Sequence, residues 1–158
     1  MRRDFFAYLY TLMEKNENIY AVSIDLGYGG FDMIRQRYES RFINTGASEQ
    51  AALDMACGLA ISGKIPFVYS ITPFLLYRGF ETIRTYINHE KLNVKLIGSG
   101  RGKDYAHDGF SHDATDDKKI MKTMGNIKMR HPKNSKDMIS VVDQMIVDDC
   151  PYYLNLKK

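Results

Sequence analysis

The feature that most constrains this chain is a regular alternation of short apolar runs with segments of helical periodicity. Phe5, Leu9, Leu12 and Met13 recur at helical spacing, and Ile19–Ile24 then reads as a short buried strand. Asp25–Gly30 is a loop by its glycines, Phe31–Tyr38 a short helix and Arg41–Asn44 a second strand. Thr45 and Ser48 offer capping oxygens to a helix over Glu49–Ser62, with Ala52, Met55, Ala56, Leu59 and Ala60 as its inner face and Gly63 as its stop. A strand over Ile65–Ser70, a helix over Phe74–Asn88 and a strand over Leu92–Ile97 follow. The polar run Gly98–Thr115 has no periodicity, which in a compact domain marks a functional or mobile loop. Beyond it come a helix over Asp116–Met124, a strand over Asn126–Arg130, a helix over Ser135–Val147 and a strand over Tyr152–Leu156. This alternation predicts an α/β fold, a doubly wound and mostly parallel sheet with helices on both faces. No linker or repeat divides it, so residues 1–158 are expected to form a single domain.

Composition removes several function classes. The 22 Lys and Arg against 19 Asp and Glu are scattered, which gives no basic footprint for nucleic acid. The most apolar stretch, Ile65 to Tyr77, is broken by Pro66, Ser70, Thr72 and Pro73, and the first residues contain no uninterrupted apolar run. A cytoplasmic protein with no membrane partner is the expectation. Cys57 and Cys150 belong to no C-x-x-C pair and are expected to be core thiols.

In an open α/β sheet, ligands gather beyond the carboxyl ends of the strands, where loops converge and helix N-termini present free N–H groups. That selects Asp25–Gly30, Thr45–Gln50, Ser70–Phe80 and Gly98–His112. Glu49 sits in the first turn of a helix, where a dipole-stabilised surface carboxylate is the plain reading, and Gly46 would let another group approach the backbone. Phe74, Tyr77 and Phe80, at i, i+3 and i+6, fall on one helical stripe, with core packing as the alternative to a binding wall. Arg78 reads as a solvated or paired cation. His107, Asp108 and His112 match no helical metal-ligand spacing, so no protein metal site is expected. The glycines at 27, 29 and 30 and at 98, 100 and 102 complete neither G-x-G-x-x-G nor a P-loop, and G-x-S-x-G is absent.

Read together, these segments resemble the pyrimidine-binding domain of the transketolase-like thiamine diphosphate enzymes. The resemblance spans nearly the whole chain. It rests on Ser23–Leu26, on Arg41–Gln50 followed by Ala56–Ala60, on Gly63–Phe67, on Phe74–Arg84, on Leu92–Leu96 and on His107–His112. It is nearest to split transketolases, whose diphosphate-binding and pyrimidine-binding parts are separate polypeptides.

The resemblance implies residue roles. Glu49 matches the glutamate that hydrogen-bonds the cofactor's pyrimidine ring nitrogen and shares a proton with it. Phe74, Tyr77 and Phe80 match the aromatic wall for that ring. Asp25 matches an acidic residue near the thiazolium, and Asp108 and His112 match groups that bind sugar hydroxyls, with His112 placed in the catalytic set beside Glu49. Arg2 or Arg3 matches an arginine that grips a sugar phosphate. Two departures bear on substrate choice: Gly100-Arg101-Gly102 replaces a family histidine, and His107 stands where an acidic residue is usual.

No G-D-G followed by a distant Asn occurs in the chain, and it stops after Pro151–Leu156, where the family's pyrimidine domain ends. The expectation is therefore a subunit that transfers a two-carbon ketol unit between sugars or sugar phosphates with thiamine diphosphate and Mg²⁺. A diphosphate-binding partner would supply the metal and diphosphate ligands in an α2β2 assembly that also includes self-association. Two other readings stand beside it: a non-catalytic interaction or regulatory module that keeps the fold, and an independent nucleotide-binding protein using the Gly98–Gly102 loop.

Overall fold

Two-residue alternation along the strands decides the layering. The computed structural model describes residues 1–158. Its strands β1 (Ile19–Ser23), β2 (Phe42–Asn44), β3 (Ile65–Ile71), β4 (Lys95–Ser99), β5 (Lys128–Arg130) and β6 (Tyr152–Leu156) form one sheet in the order β2-β1-β3-β4-β6-β5. Every neighbouring pair is parallel. Ala21, Phe67, Tyr69, Ile97, Tyr152 and Leu154 point into one layer, and Val22, Val68, Leu96 and Tyr153 into the other.

The first layer is closed by α1 (Arg2–Lys15), α2 (Asp32–Arg37) and α6 (Ser135–Val147), through Phe5, Leu9, Met13, Ile34, Met138, Val142 and Met145. Phe5, Leu9 and Met13 are fully enclosed, each contributing roughly 1.5–3 kcal/mol of apolar burial. The second layer is closed by α3 (Glu49–Ile61), the helical stretch 74–89 and α5 (Asp117–Met121). Helices thus cover both faces of an all-parallel sheet, as the alternation predicts.

Four local expectations need correction. The inner face of α3 is Glu49, Ala52, Leu53, Ala56 and Cys57, while Met55 is 42% exposed. The helix is apolar nearly all round, so contact with β3, not sequence pattern, sets its rotation. Ser48 does occupy the cap position, but neither it nor Thr45 makes a side-chain cap bond; Thr45 donates to the Gly46 carbonyl at 3.3 Å instead. β4 begins three residues later than its apolar run and extends through Ser99, because Gly98 and Ser99 remain registered with Ser70 and Ile71 on one side and Asn155 and Leu156 on the other. Asn126 likewise leaves the β5 ladder, since its backbone and side-chain amides bond Asn88.

The helix expected over Phe74–Asn88 is not one regular helix. It is wound as π-helix over Phe74–Arg78, as a short α4 (Phe80–Thr82), and as π-helix again over Ile83–His89. π-Winding alters which residues share a face, and it recurs at functional sites. Gly79 sits at the joint, where a Cβ would collide with Leu53 of α3. Cys57 is buried, its thiol pushed up to about 12 by burial and then by the Asp54 charge; Cys150 is only half-buried, so one of the two expected core thiols is not fully in the core. No helix is long and apolar enough to cross a membrane.

Candidate active site

The carboxyl ends of β1, β2, β3 and β4 deliver the four expected segments to one edge of the sheet. There the second residue after β2, Gly46, turns the chain at φ +66 into α3. A Cβ at Gly46 would meet nothing within 4 Å, so glycine is required for the left-handed turn and not for a close approach to the backbone. The turn places Glu49 as the first residue of α3, and its side chain folds inward: the residue is 6% exposed. It is not the surface carboxylate that its position alone suggests.

One side-chain donor serves that carboxylate. Arg78 Nη1 donates to Glu49 Oε1 at 2.5 Å, from a side chain that is 49% exposed. The same guanidinium lies over the Phe74 ring, 3.8 Å from its centroid. Phe74 in turn meets the His112 ring edge to face at 4.8 Å. His112 lies 6.4 Å from the Tyr105 ring, whose hydroxyl accepts from Arg2 Nη1 at 2.6 Å and sits 3.0 Å from Ser99 Oγ. Glu49, Arg78, Phe74, His112, Tyr105 and Arg2 therefore form one continuous line of contacts across the sheet edge.

Other expected residues stand apart from this line. The rings of Phe74, Tyr77 and Phe80 do not stack on one another. Tyr77 is half-buried and donates its hydroxyl to the Asp116 carboxylate, and Phe80 is 37% exposed. The single-stripe expectation fails because π-winding rotates successive residues differently from an α-helix. Burial, and then the bond to Asp116, push the Tyr77 phenol well above its ordinary value. Asp25 is exposed in a left-handed conformation, φ 47, with its N–H bonded to Asn44 Oδ1 at 3.2 Å and its carboxylate accepting from Tyr28. Asp108 is exposed and pairs with His107 at 3.3 Å. Arg2, not Arg3, is the arginine tied to the end of β4.

The loop expected over Gly98–Thr115 starts later and has internal structure. It is drawn together by the Gly102–Ala114 bridge and holds 3-10 turns at Ala106–Asp108 and Phe110–His112. Two residues of the site were not legible as such. Arg78 reads in sequence only as a generic cation, and Tyr105 has no local signal, since its role depends on Arg2 being 103 residues away. A cavity of about 670 Å³, lined in part by Arg2, Arg3, Phe6, Leu26, Tyr28 and Tyr69, opens beside the loop after β1; Glu49 and Phe74 do not line it. No group of three or more His, Cys, Asp or Glu side chains converges as a metal-ligand set.

Comparison with known proteins gives a consistent picture. The family described as transketolase, pyrimidine binding domain, matches residues 1–158. A transketolase C-terminal section from Methanocaldococcus jannaschii is 31% identical over 159 residues, spanning 100% of this chain and 50% of that protein. The 6-deoxy-6-sulfo-D-fructose transketolase subunit SqwH of a Clostridium species is 28% identical over 99% of this chain and 49% of its own length. Among solved structures, a split gene transketolase described as an inactive beta4 tetramer matches with TM-score 0.86 and 29% identity, over 99% of this chain and 50% of that one. Transketolase from Campylobacter jejuni matches with TM-score 0.88 at 19% identity, over 99% of this chain and 25% of that one, which shows a shared fold. The chain spans about half the length of the curated relatives it matches.

Proposed function

Because this chain belongs to the transketolase pyrimidine-binding domain family, we propose that it is the pyrimidine-side subunit of a split transketolase. A separate diphosphate-binding subunit would complete each site, in an assembly that also pairs copies of this chain. The observation that carries the reading is Glu49. It is a carboxylate almost fully withdrawn from water at the sheet edge where α/β proteins bind ligands, yet it has one protein donor and an aromatic face beside it.

That donor set fits the pyrimidine half of thiamine diphosphate, a flat ring with a nitrogen at its edge. The cofactor, when bound, supplies a nucleophilic carbon and an electron sink. Glu49 would hold a proton at the ring nitrogen, and its burial keeps water from competing for that hydrogen bond. Phe74 would offer its face to the ring, with Tyr77 and Phe80 on the flank. His112, fixed against Phe74, would bind a sugar hydroxyl and move a proton there, with Asp108 on the same loop. Asp25 would stand toward the thiazolium side, and Arg2 toward the far end of a sugar or sugar phosphate. Mg²⁺ and the diphosphate would be held by the partner chain. The two-carbon donor and acceptor would be sugars, the substrate class of transketolases.

The test is ketol transfer measured with this chain, thiamine diphosphate, Mg²⁺ and a diphosphate-binding partner. Glu49→Ala should cost roughly 10²–10⁴ in rate while assembly is retained. Unchanged turnover in that variant would remove Glu49 from the chemistry and the reading with it.

A further inference from the structure

Resting on the function just proposed, we propose that Arg78 is a placeholder for the cofactor's ring: its guanidinium occupies the Glu49 carboxylate and the Phe74 face, and it swings out when the aminopyrimidine docks. The juxtaposition is specific. Nη1 meets Oε1 at 2.5 Å while Cζ lies 3.8 Å from the ring centroid, so one flat group satisfies both surfaces at once. A guanidinium is planar, presents N–H donors along its edge and offers a delocalised face. An aminopyrimidine makes the same two demands, a donor edge toward a carboxyl and a face toward an aromatic ring. Two flat groups cannot both meet Oε1 and lie on the same face of the Phe74 ring.

Burial explains why a placeholder is needed. A carboxylate with 7% side-chain exposure and no partner would carry a desolvation penalty, so Glu49 needs a donor at all times, either Arg78 or the ring. Arg78 is suited to a temporary role because half of its side chain is in water, and its charged head can move fully into solvent. The local backbone places it there. Arg78 ends the π-wound turn Phe74–Arg78, and Gly79 lets that turn close on Leu53 of α3, one helical turn from Glu49.

The probe for the test is 4-amino-5-hydroxymethyl-2-methylpyrimidine, the ring half of thiamine, which needs neither metal nor diphosphate ligands. It is titrated into the full chain and into variants, and binding is followed by NMR. Arg78→Ala should bind the ring roughly three- to thirtyfold more tightly than the unmodified chain, from the combined loss of a half-exposed ion pair and a cation–π contact. Equal or weaker binding by Arg78→Ala overturns the placeholder. A second measurement needs no variant. Salt screens the Arg78–Glu49 pair but not a neutral ring, so affinity of the unmodified chain should rise with ionic strength; a flat or falling salt response also overturns it.

Glu49→Ala separates the two proposals. If it abolishes ring binding while Arg78→Ala gives no tightening, the placeholder alone falls. If ring binding is untouched by Glu49→Ala, the proposed function falls and the placeholder with it; if ring binding is absent from the unmodified chain and Arg78→Ala alike, the placeholder falls and the ketol-transfer test with the partner decides the function.

Discussion

Two acidic residues, Glu49 and Asp117, each begin a helix on the same face of the sheet and are almost equally buried, at 6% and 5% exposure. Their surroundings differ. Asp117 Oδ2 accepts from His131 Nε2 at 3.0 Å, Tyr153 Oη at 2.8 Å and Asn155 Nδ2 at 2.7 Å, and its Oδ1 accepts from the Lys118 N–H at 2.6 Å. Glu49 has one donor, and that donor is half in water. A saturated carboxylate fastens structure together; an under-served one at equal depth is open to a ligand. The difference separates the residue that holds β6 to α5 from the residue proposed to do chemistry.

The comparison breaks most sharply in activity. If the proposed function holds, Glu49→Ala should lower ketol transfer by roughly 10²–10⁴ while moving the urea midpoint little, because it removes a charge with a single, half-exposed partner. Asp117→Ala should do the reverse, lowering stability by about 3 kcal/mol in urea denaturation as the buried Tyr153 and Asn155 and the partly buried His131 lose their acceptor.

A pH series sharpens the contrast. Burial pushes the Asp117 carboxyl upward, but the bonds from His131, Tyr153 and Asn155 outweigh it and hold its pKa below the ordinary carboxylate value. A folded pKa below the unfolded one contributes stability that is fully present above the unfolded value and lost as pH falls through the folded value. The stability gap between the unmodified protein and Asp117→Asn should therefore be constant at neutral pH and shrink in acid; a gap independent of pH down to strong acid would contradict this.

Lys95 extends the comparison to a buried cation at the opposite end of β4. It donates to the carbonyls of Asp148 and Cys150 at 3.1 and 2.7 Å, and burial lowers its pKa to about 8. Here the folded pKa lies below that of a free lysine, about 10.4, so the unfolded chain binds more protons between the two values and stability should rise with pH across that window. Lys95→Met should flatten this rise in urea midpoints taken at about pH 8 and about pH 10. The smallest expected effect is Tyr77→Phe, which deletes the bond to Asp116 at a cost of about 1 kcal/mol. Since Phe keeps the aromatic face, ring binding should survive it; loss of most of the ring binding in Tyr77→Ala would place Tyr77 in the binding wall and not merely in the scaffold.

Much of this molecule was legible one residue at a time. The strand runs Ile19–Ile24, Ile65–Ser70 and Tyr152–Leu156 are apolar because both faces of a parallel strand are covered; the third lies in the sheet as read, the first ends one residue earlier and the second one residue later. The four segments at the carboxyl edge were legible for a similar reason, since chain direction in a parallel sheet sends them all to one end. Less was legible where packing decides. The rotation of α3, the end of β4 and the π-winding of 74–89 depend on neighbours, and a π-turn has no residue signature that separates it from an α-turn in Phe74–Arg78.

The sequence alone determined the α/β class, the strand directions and the presence of Glu49 at the start of a helix, because periodicity and turn chemistry act over a few residues. Tertiary structure alone decided that Glu49 turns inward, that Arg78 covers it from 29 residues away and that Phe74 lies beneath the pair. Those contacts follow from the closeness of α3 to the π-wound turn at Gly79, and the distance between two elements is fixed by packing, not by either segment's own residues.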